Sequence, residues 1–155
     1  MHDFKYPEYR LCKTPEDAIA LLNEVGGPII IKPLDSNASH GVFKCDSLDS
    51  IYDHFSKSIS FSRVEKSVLA ERYIEGPEFT VEGIKTPGNH YTLAISEKKH
   101  FTHNTSIAKE LLFSHTHPRF DYDKLKSVNN AFVLNSGLQY GFTHAEYKYE
   151  NGDFT

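Results

Sequence analysis

Gly26-Gly27-Pro28-Ile29-Ile30-Ile31-Lys32-Pro33-Leu34-Asp35-Ser36-Asn37-Ala38-Ser39-His40-Gly41-Val42 is the stretch that decides how this chain reads. Three β-branched residues in a row predict a buried strand, and the strand ends on a lysine. Small polar residues follow, then a return strand over 41–44. Lys32 shares the face of Ile30, so it either snorkels to water or is held for an anion. The loop 35–41 offers small side chains and backbone N–H donors, and Gly41 permits close backbone approach. A plain hairpin would use the same residue types. No Walker pattern and no Gly-x-Gly-x-x-Gly occurs here.

Upstream, Tyr9 to Cys12 predicts a short strand. Thr14, Pro15, Glu16 and Asp17 mark a helix start, and Ala18, Leu21, Leu22 and Val25 recur at helical spacing before Gly26. Downstream, Asp46 or Ser47 caps a second helix with Leu48, Ile51, Tyr52 and Phe55 on one face. A strand over 68–73 closes a compact unit of strand, helix, strand, loop, strand, helix, strand. Glu75-Gly76-Pro77 punctuates the chain as a hinge. A hairpin over 79–96 turns at Pro87-Gly88-Asn89, a third strand-like run covers 105–113, a helix covers 121–135 with Leu125, Val128 and Phe132, and Gly137 closes it. An alternating strand follows over 139–149. Glu150-Asn151-Gly152-Asp153-Phe154-Thr155 reads as a hairpin turn into a strand that never arrives, so the chain is expected to be cut from something longer.

With 155 residues and a net charge of −4, the chain has room for one domain or two small lobes and lacks the basic face of a nucleic-acid binder. Its apolar runs are too short to span a membrane, and its start lacks a signal-peptide core. Cys12 and Cys45 make no disulfide framework, which places the expectation in a reduced, cytoplasmic setting.

Two further segments carry chemistry. In Val68-Leu69-Ala70-Glu71-Arg72-Tyr73-Ile74-Glu75-Gly76-Pro77-Glu78, Glu71 ends a strand. Glu78, Thr80 and Glu82 share a face of the next strand, turned to water or to a cleft, and water is the ordinary reading. In the run 140–149, His144, Glu146 and Lys148 share a face, and Glu146 could hold Mg²⁺, which prefers oxygen ligands. His100, His103, His115 and His117 could suggest zinc with His144, but no cysteine or carboxylate pattern accompanies them, so they read as surface loop histidines.

Together the three segments resemble the ATP-grasp superfamily, in the branch with biotin carboxylase, the large subunit of carbamoyl phosphate synthetase and the stand-alone amino-acid ligases. The resemblance runs from Pro7 to Thr155 and implies an α+β fold. Residues 1–75 would form a small α/β lobe with the phosphate-binding loop (the B subdomain), and 76–155 part of an antiparallel-sheet lobe (the C subdomain), one ATP-grasp unit truncated at both ends. It implies ATP and Mg²⁺ as cofactors, with Mn²⁺ as a substitute. Lys32 would contact the phosphates, and Ser36, Asn37, Ala38, Ser39, His40, Gly41 and Val42 would fold over them. Glu71 would accept from the adenine amino group, the backbone of Arg72 and Ile74 would complete its recognition, and Tyr73 would also line the ATP site; Glu78 would hold the ribose, and Glu146 the first metal ion. Glu82, Lys109, His115, His117 and His144 would border the substrate.

The implied activity is ATP-dependent joining of a carboxylate to an amine or similar nucleophile through an acyl phosphate. The family's second metal carboxylate falls beyond Thr155. No complete catalytic set is therefore expected within these residues, which taken alone would be inactive. The alternatives are a non-catalytic nucleotide-binding or regulatory module, and a scaffold that only binds protein. The expected partners are a nucleotide and a small carboxylate, with no nucleic acid or membrane; a homodimer stays open.

Overall fold

A computed structural model of the chain describes residues 4–37, 39–64, 66–102 and 107–155. Ala38 and His103 therefore lie outside the described residues. The chain divides into two compact units, Pro7–Ile74 and Glu75–Thr155, the latter joined by the segment that ends at Tyr6. Together they hold three helices and two antiparallel sheets among the described residues. None of those helices is long and apolar enough to cross a membrane.

In the first unit, β1 (Tyr9–Cys12), β2 (Ile29–Pro33), β3 (Phe43–Cys45) and β4 (Val68–Arg72) form a sheet in the order β1-β4-β2-β3. Helices α1 (Pro15–Val25) and α2 (Leu48–Ser60) cover one face. The local signals place them. The Asp17 carboxylate accepts from the Lys13 and Thr14 amides at 2.9 and 3.1 Å, closing the first turn of α1. Gly26 ends that helix in the left-handed region, with φ of 64°. Ser47, not Asp46, caps α2 by accepting from the Ser50 amide.

Ile29, Ile31, Val68 and Ala70 point into the core with Leu21 and Phe55. Burial along β2 alternates, so the run of isoleucines is not buried on both faces. Ile30 and Lys32 lie on the helix-free face, because an antiparallel sheet with helices on one side buries every second residue. Cys12 and Cys45 are free and fully buried, and burial pushes both thiols up to about 11. They serve as packing atoms. The return strand begins at Phe43, since Gly41 is in the left-handed region with φ of 79°.

In the second unit the order is β7 (Ala108–Phe113), β6 (Asn89–His100), β5 (Glu78–Thr86), β8 (Gly141–Glu150), β9 (Asp153–Phe154). Helix α3 (Tyr122–Asn135) covers one face, over a core of Phe79, Val81, Ile95, Leu125, Tyr147 and Phe154. Asp121 caps it, accepting from the Lys124 amide at 2.9 Å. Phe132 is half exposed and meets the Phe4 ring edge-on at 5.7 Å rather than entering the core.

The Asn151-Gly152 turn, with φ of 52° and 87°, delivers a return strand after all. Its pairing starts at Asp153 and continues through reciprocal backbone bonds between Thr155 and Lys148 at 2.9 Å. Gly76 is required by packing: a Cβ there would collide with the Tyr149 carbonyl. Tyr149 in turn donates its N–H to Pro77 O at 2.9 Å.

Candidate functional site

In the first unit, strand alternation brings Lys32 and Glu71 to the same helix-free face. Lys32 stands opposite Leu69 and Glu71 opposite Ile30, so the two are diagonal neighbours, and they form an ion pair. The lysine is 37% exposed, enough to reach a ligand. Next to it on β3, the Lys44 ammonium sits 4.0 Å from the centroid of the Tyr73 ring. Arg72 is held by Glu8, through Nε to the carboxylate at 2.7 Å and N–H to the carbonyl at 2.8 Å. The Tyr73 N–H donates to Pro28 O at 2.9 Å. The Arg72 amide, expected with the Ile74 backbone to read adenine, is therefore committed to the sheet, as is the Tyr73 amide, while Ile74 is buried.

The loop from Leu34 to Val42 follows β2. Inside it, the His40 and Val42 amides donate to Asn37 O and Ser39 O at 3.1 and 3.3 Å. Ser39 has φ of 58°. A Cβ at Gly41 would stand 3.0 Å from Pro33 and Phe61, so this glycine serves loop packing, a need the sequence does not specify.

In the second unit, Glu78, Thr80 and Glu82 of β5 and His144, Glu146 and Lys148 of β8 lie on the face away from α3. Register pairs Glu78 with Lys148, Thr80 with Glu146 and Glu82 with His144. Lys98 of β6, opposite Glu78, joins them. Its ammonium donates to Glu78 at 2.7 Å and also pairs with Glu146. Lys148 reaches the other Glu78 oxygen at 3.1 Å, and His100 Nε2 lies 3.4 Å from it. Sequence reading missed Lys98, because its partners lie on strands distant in sequence. The only local signal was its even spacing with Ser96 on β6.

The water-facing reading fails for Glu78 and Thr80. The Glu78 side chain is only 15% exposed, and the Thr80 hydroxyl is buried with no hydrogen-bond partner among the described residues. His100 is not a surface histidine either, as both its ring nitrogens are buried.

Burial pushes the Glu78 carboxyl up, but Lys98 and Lys148 outweigh it and hold the group below its ordinary 4.5. His144 Nδ1 lies 2.8 Å from Glu82 and its Nε2 3.4 Å from Glu146. The Glu82 hydrogen bond lifts its pKa above 6.5 against partial desolvation. A raised folded pKa adds stability that is full below the unfolded value near 6.5 and is lost as pH rises through the folded one. The ring resonances of His144 should accordingly titrate above 6.5, and Glu82→Gln should bring the midpoint down. An NMR titration in which Glu82→Gln leaves the midpoint unmoved would refute this.

Other predicted residues are not brought to this face. His117 lies on the α3 side, its ring 4.5 Å from Phe120 and its Nε2 3.4 Å from the buried Glu97. Its Nδ1 accepts from the Arg119 amide at 3.0 Å, so both ring nitrogens face protein groups. Lys109 is exposed on edge strand β7, 3.6 Å from Glu110, and His115 is exposed beyond it.

For a metal ion, the described residues offer no group of three His, Cys, Asp or Glu side chains. Glu146 is a half-exposed carboxylate. It fits Mg²⁺ as one ligand of the kind that ion takes alongside phosphate oxygens and water.

The sequence pattern of the ATP-grasp domain matches residues 25–155. The chain belongs to the ATP-grasp family. It is 26% identical over 129 residues to dapdiamide A synthase of Enterobacter agglomerans, covering 81% of this chain and 30% of that protein. To D-alanine–D-alanine ligase B of Pseudomonas syringae pv. tomato it is 30% identical over 79 residues, 51% of this chain and 24% of the ligase. Among solved structures, carboxyaminoimidazole ribonucleotide synthase of Aspergillus clavatus complexed with ATP superposes with a TM-score of 0.73 at 18% identity, over 96% of this chain and 38% of that one. That likeness establishes the ATP-grasp fold. The chain spans about a quarter to a third of the length of these curated relatives.

Proposed function

We propose that this ATP-grasp chain binds Mg-ATP and serves an ATP-dependent ligase that joins a small carboxylate to an amine. The carrying observation is the Lys32–Glu71 pair on the helix-free face of the first sheet, beside a folded small-residue loop. Lys32 supplies a cation for the phosphates, and the described loop residues Ser36, Asn37, Ser39 and Gly41 supply donors around them. Glu71 accepts from the adenine amino group. With the Arg72 and Tyr73 amides committed, the base reads the carbonyls and the Ile74 end of this segment.

In the Glu75–Thr155 unit, Glu78 takes the ribose hydroxyls in exchange for one of its lysine partners. Glu146 holds one position on Mg²⁺, or on Mn²⁺ in its place, once Lys98 releases it. The metal, when bound, neutralises charge on the phosphates. The reaction class is attack of a carboxylate oxygen on the γ-phosphorus with loss of ADP. The amine then attacks the acyl carbon and phosphate leaves. Positioning and fixed positive charge do most of the protein's work in such a transfer. Glu82 and His144 border the substrate; His117 lacks a free ring nitrogen for that role.

A second reading, a non-catalytic nucleotide-binding module, is favoured by the ion pair that ties Glu146 to Lys98. Transfer of labelled γ-phosphate from ATP to a panel of amino acids, assayed with this protein, separates the two.

Binding itself is tested on this chain. Millimolar ATP with Mg²⁺ should raise the unfolding midpoint, by mass action on the folded state. Lys32→Ala and Glu71→Ala should each weaken binding by about tenfold or more, the loss of one charge-assisted contact. No shift for the unaltered chain, or an affinity unchanged from it in both variants, removes the proposal.

A further inference from the structure

The loop that follows Lys32 is clamped at both ends, by the last turn of α2 and by the residues just past it. At its start, the Asp35 carboxylate accepts three hydrogen bonds from consecutive residues just past α2. These come from the Ser62 hydroxyl at 2.6 Å, the Arg63 amide at 2.9 Å and the Val64 amide at 2.6 Å. At its end, the fully buried Ser58 donates its hydroxyl to the Gly41 carbonyl at 2.8 Å. Phe61, which ends α2, stands 3.0 Å from where a Cβ of Gly41 would lie and stacks with His40 at 6.1 Å. A loop of small polar residues would otherwise sample many shapes, and ordering it on binding would cost affinity. A carboxylate beside a phosphate loop would also repel the ligand. Here three donors absorb its charge.

We propose that Asp35 and Ser58 are positioning residues that hold the loop in the shape that receives the terminal phosphates of a nucleotide. The proposal rests on the nucleotide reading above. Neither residue touches the ligand; both act through the loop backbone. The dependence is therefore specific to phosphates and leaves recognition of the base alone.

The test uses the 155-residue chain with three probes: Mg-ATP, Mg-ADP and adenosine. Asp35→Ala should weaken Mg-ATP and Mg-ADP by about tenfold and leave adenosine within about twofold, the loss of a charge-assisted anchor. Asp35→Asn should recover most of the loss, since its amide oxygen still accepts from the turn. Hydrogen exchange should quicken at the amides of 36, 37 and 39–42 and not in β2 or α2. Should Asp35→Ala fail to fold, Ser58→Ala reads the other clamp by the same ratio.

The proposal is overturned if nucleotide and adenosine affinities fall together, if neither changes, or if loop exchange is unaltered. If the unaltered chain takes up no Mg-ATP, the nucleotide reading falls, and with it the phosphate role proposed for these residues. Loop exchange in Asp35→Ala then reports only whether the clamp holds the backbone.

Discussion

Phe79→Ala is expected to lower the stability of the Glu75–Thr155 unit by about 4 kcal/mol, the cost of a large aromatic removed from a packed core. Phe79 is fully buried on β5. The rings of Phe120, Tyr122 and Phe154 stand around it edge-on, with centroids 5.0, 5.9 and 5.5 Å away. Alanine deletes the partner common to all three contacts and leaves a cavity that a central strand cannot collapse to fill. The effect should appear as a lower urea midpoint and as faster exchange of β5 and β8 amides. Phe79→Leu, which keeps most of the volume, should cost well under half as much. A loss below about 2 kcal/mol for alanine would mean that the aromatic cluster is not the core of this unit.

Lys98→Met should have the next largest effect. The ammonium is 14% exposed and neutralises Glu78 and Glu146 at once. Its removal leaves Glu78 with Lys148 as its remaining lysine partner. Breaking one side of a largely buried pair destabilises by about 3 kcal/mol, because the surviving charge stays desolvated. The pH dependence carries a sign. Glu78 is depressed in the folded state, so its contribution is present above the ordinary value of 4.5 and lost as pH falls through the folded value. Without Lys98, burial pushes the carboxyl up and this acid-side loss should shrink. Urea unfolding of both proteins at several pH values below neutrality measures it. Equal stabilities, or parallel pH curves, would show that Lys98 does not control Glu78.

The fold was largely legible because its signals are local. Pro15 with Asp17, and Gly26 at the other end, bracket α1, while Asn151-Gly152 marks a hairpin. What failed was judgement of how far a strand is buried. Ile29 to Ile31 read as one buried run, and the helices cover only one face of the sheet, so burial alternates. Glu78 and Thr80 read as solvated, and partners from two other strands cover the glutamate. His100 and His117 read as surface histidines, and each lies against a carboxylate of its own unit.

The amino-acid sequence by itself determined the order of elements, the turns, and the faces on which Lys32, Glu71, Glu78 and Glu146 lie. Alternation along a strand and capping at a helix end depend on residues only a few positions apart. Tertiary structure alone decided which of these side chains meet. It set Lys98 between Glu78 and Glu146, turned His117 to the helix side, and fastened Asp35 to the turn after α2. The physical reason is strand register. A one-residue slip sends every side chain to the opposite face, and register is fixed by pairing between segments far apart in the chain.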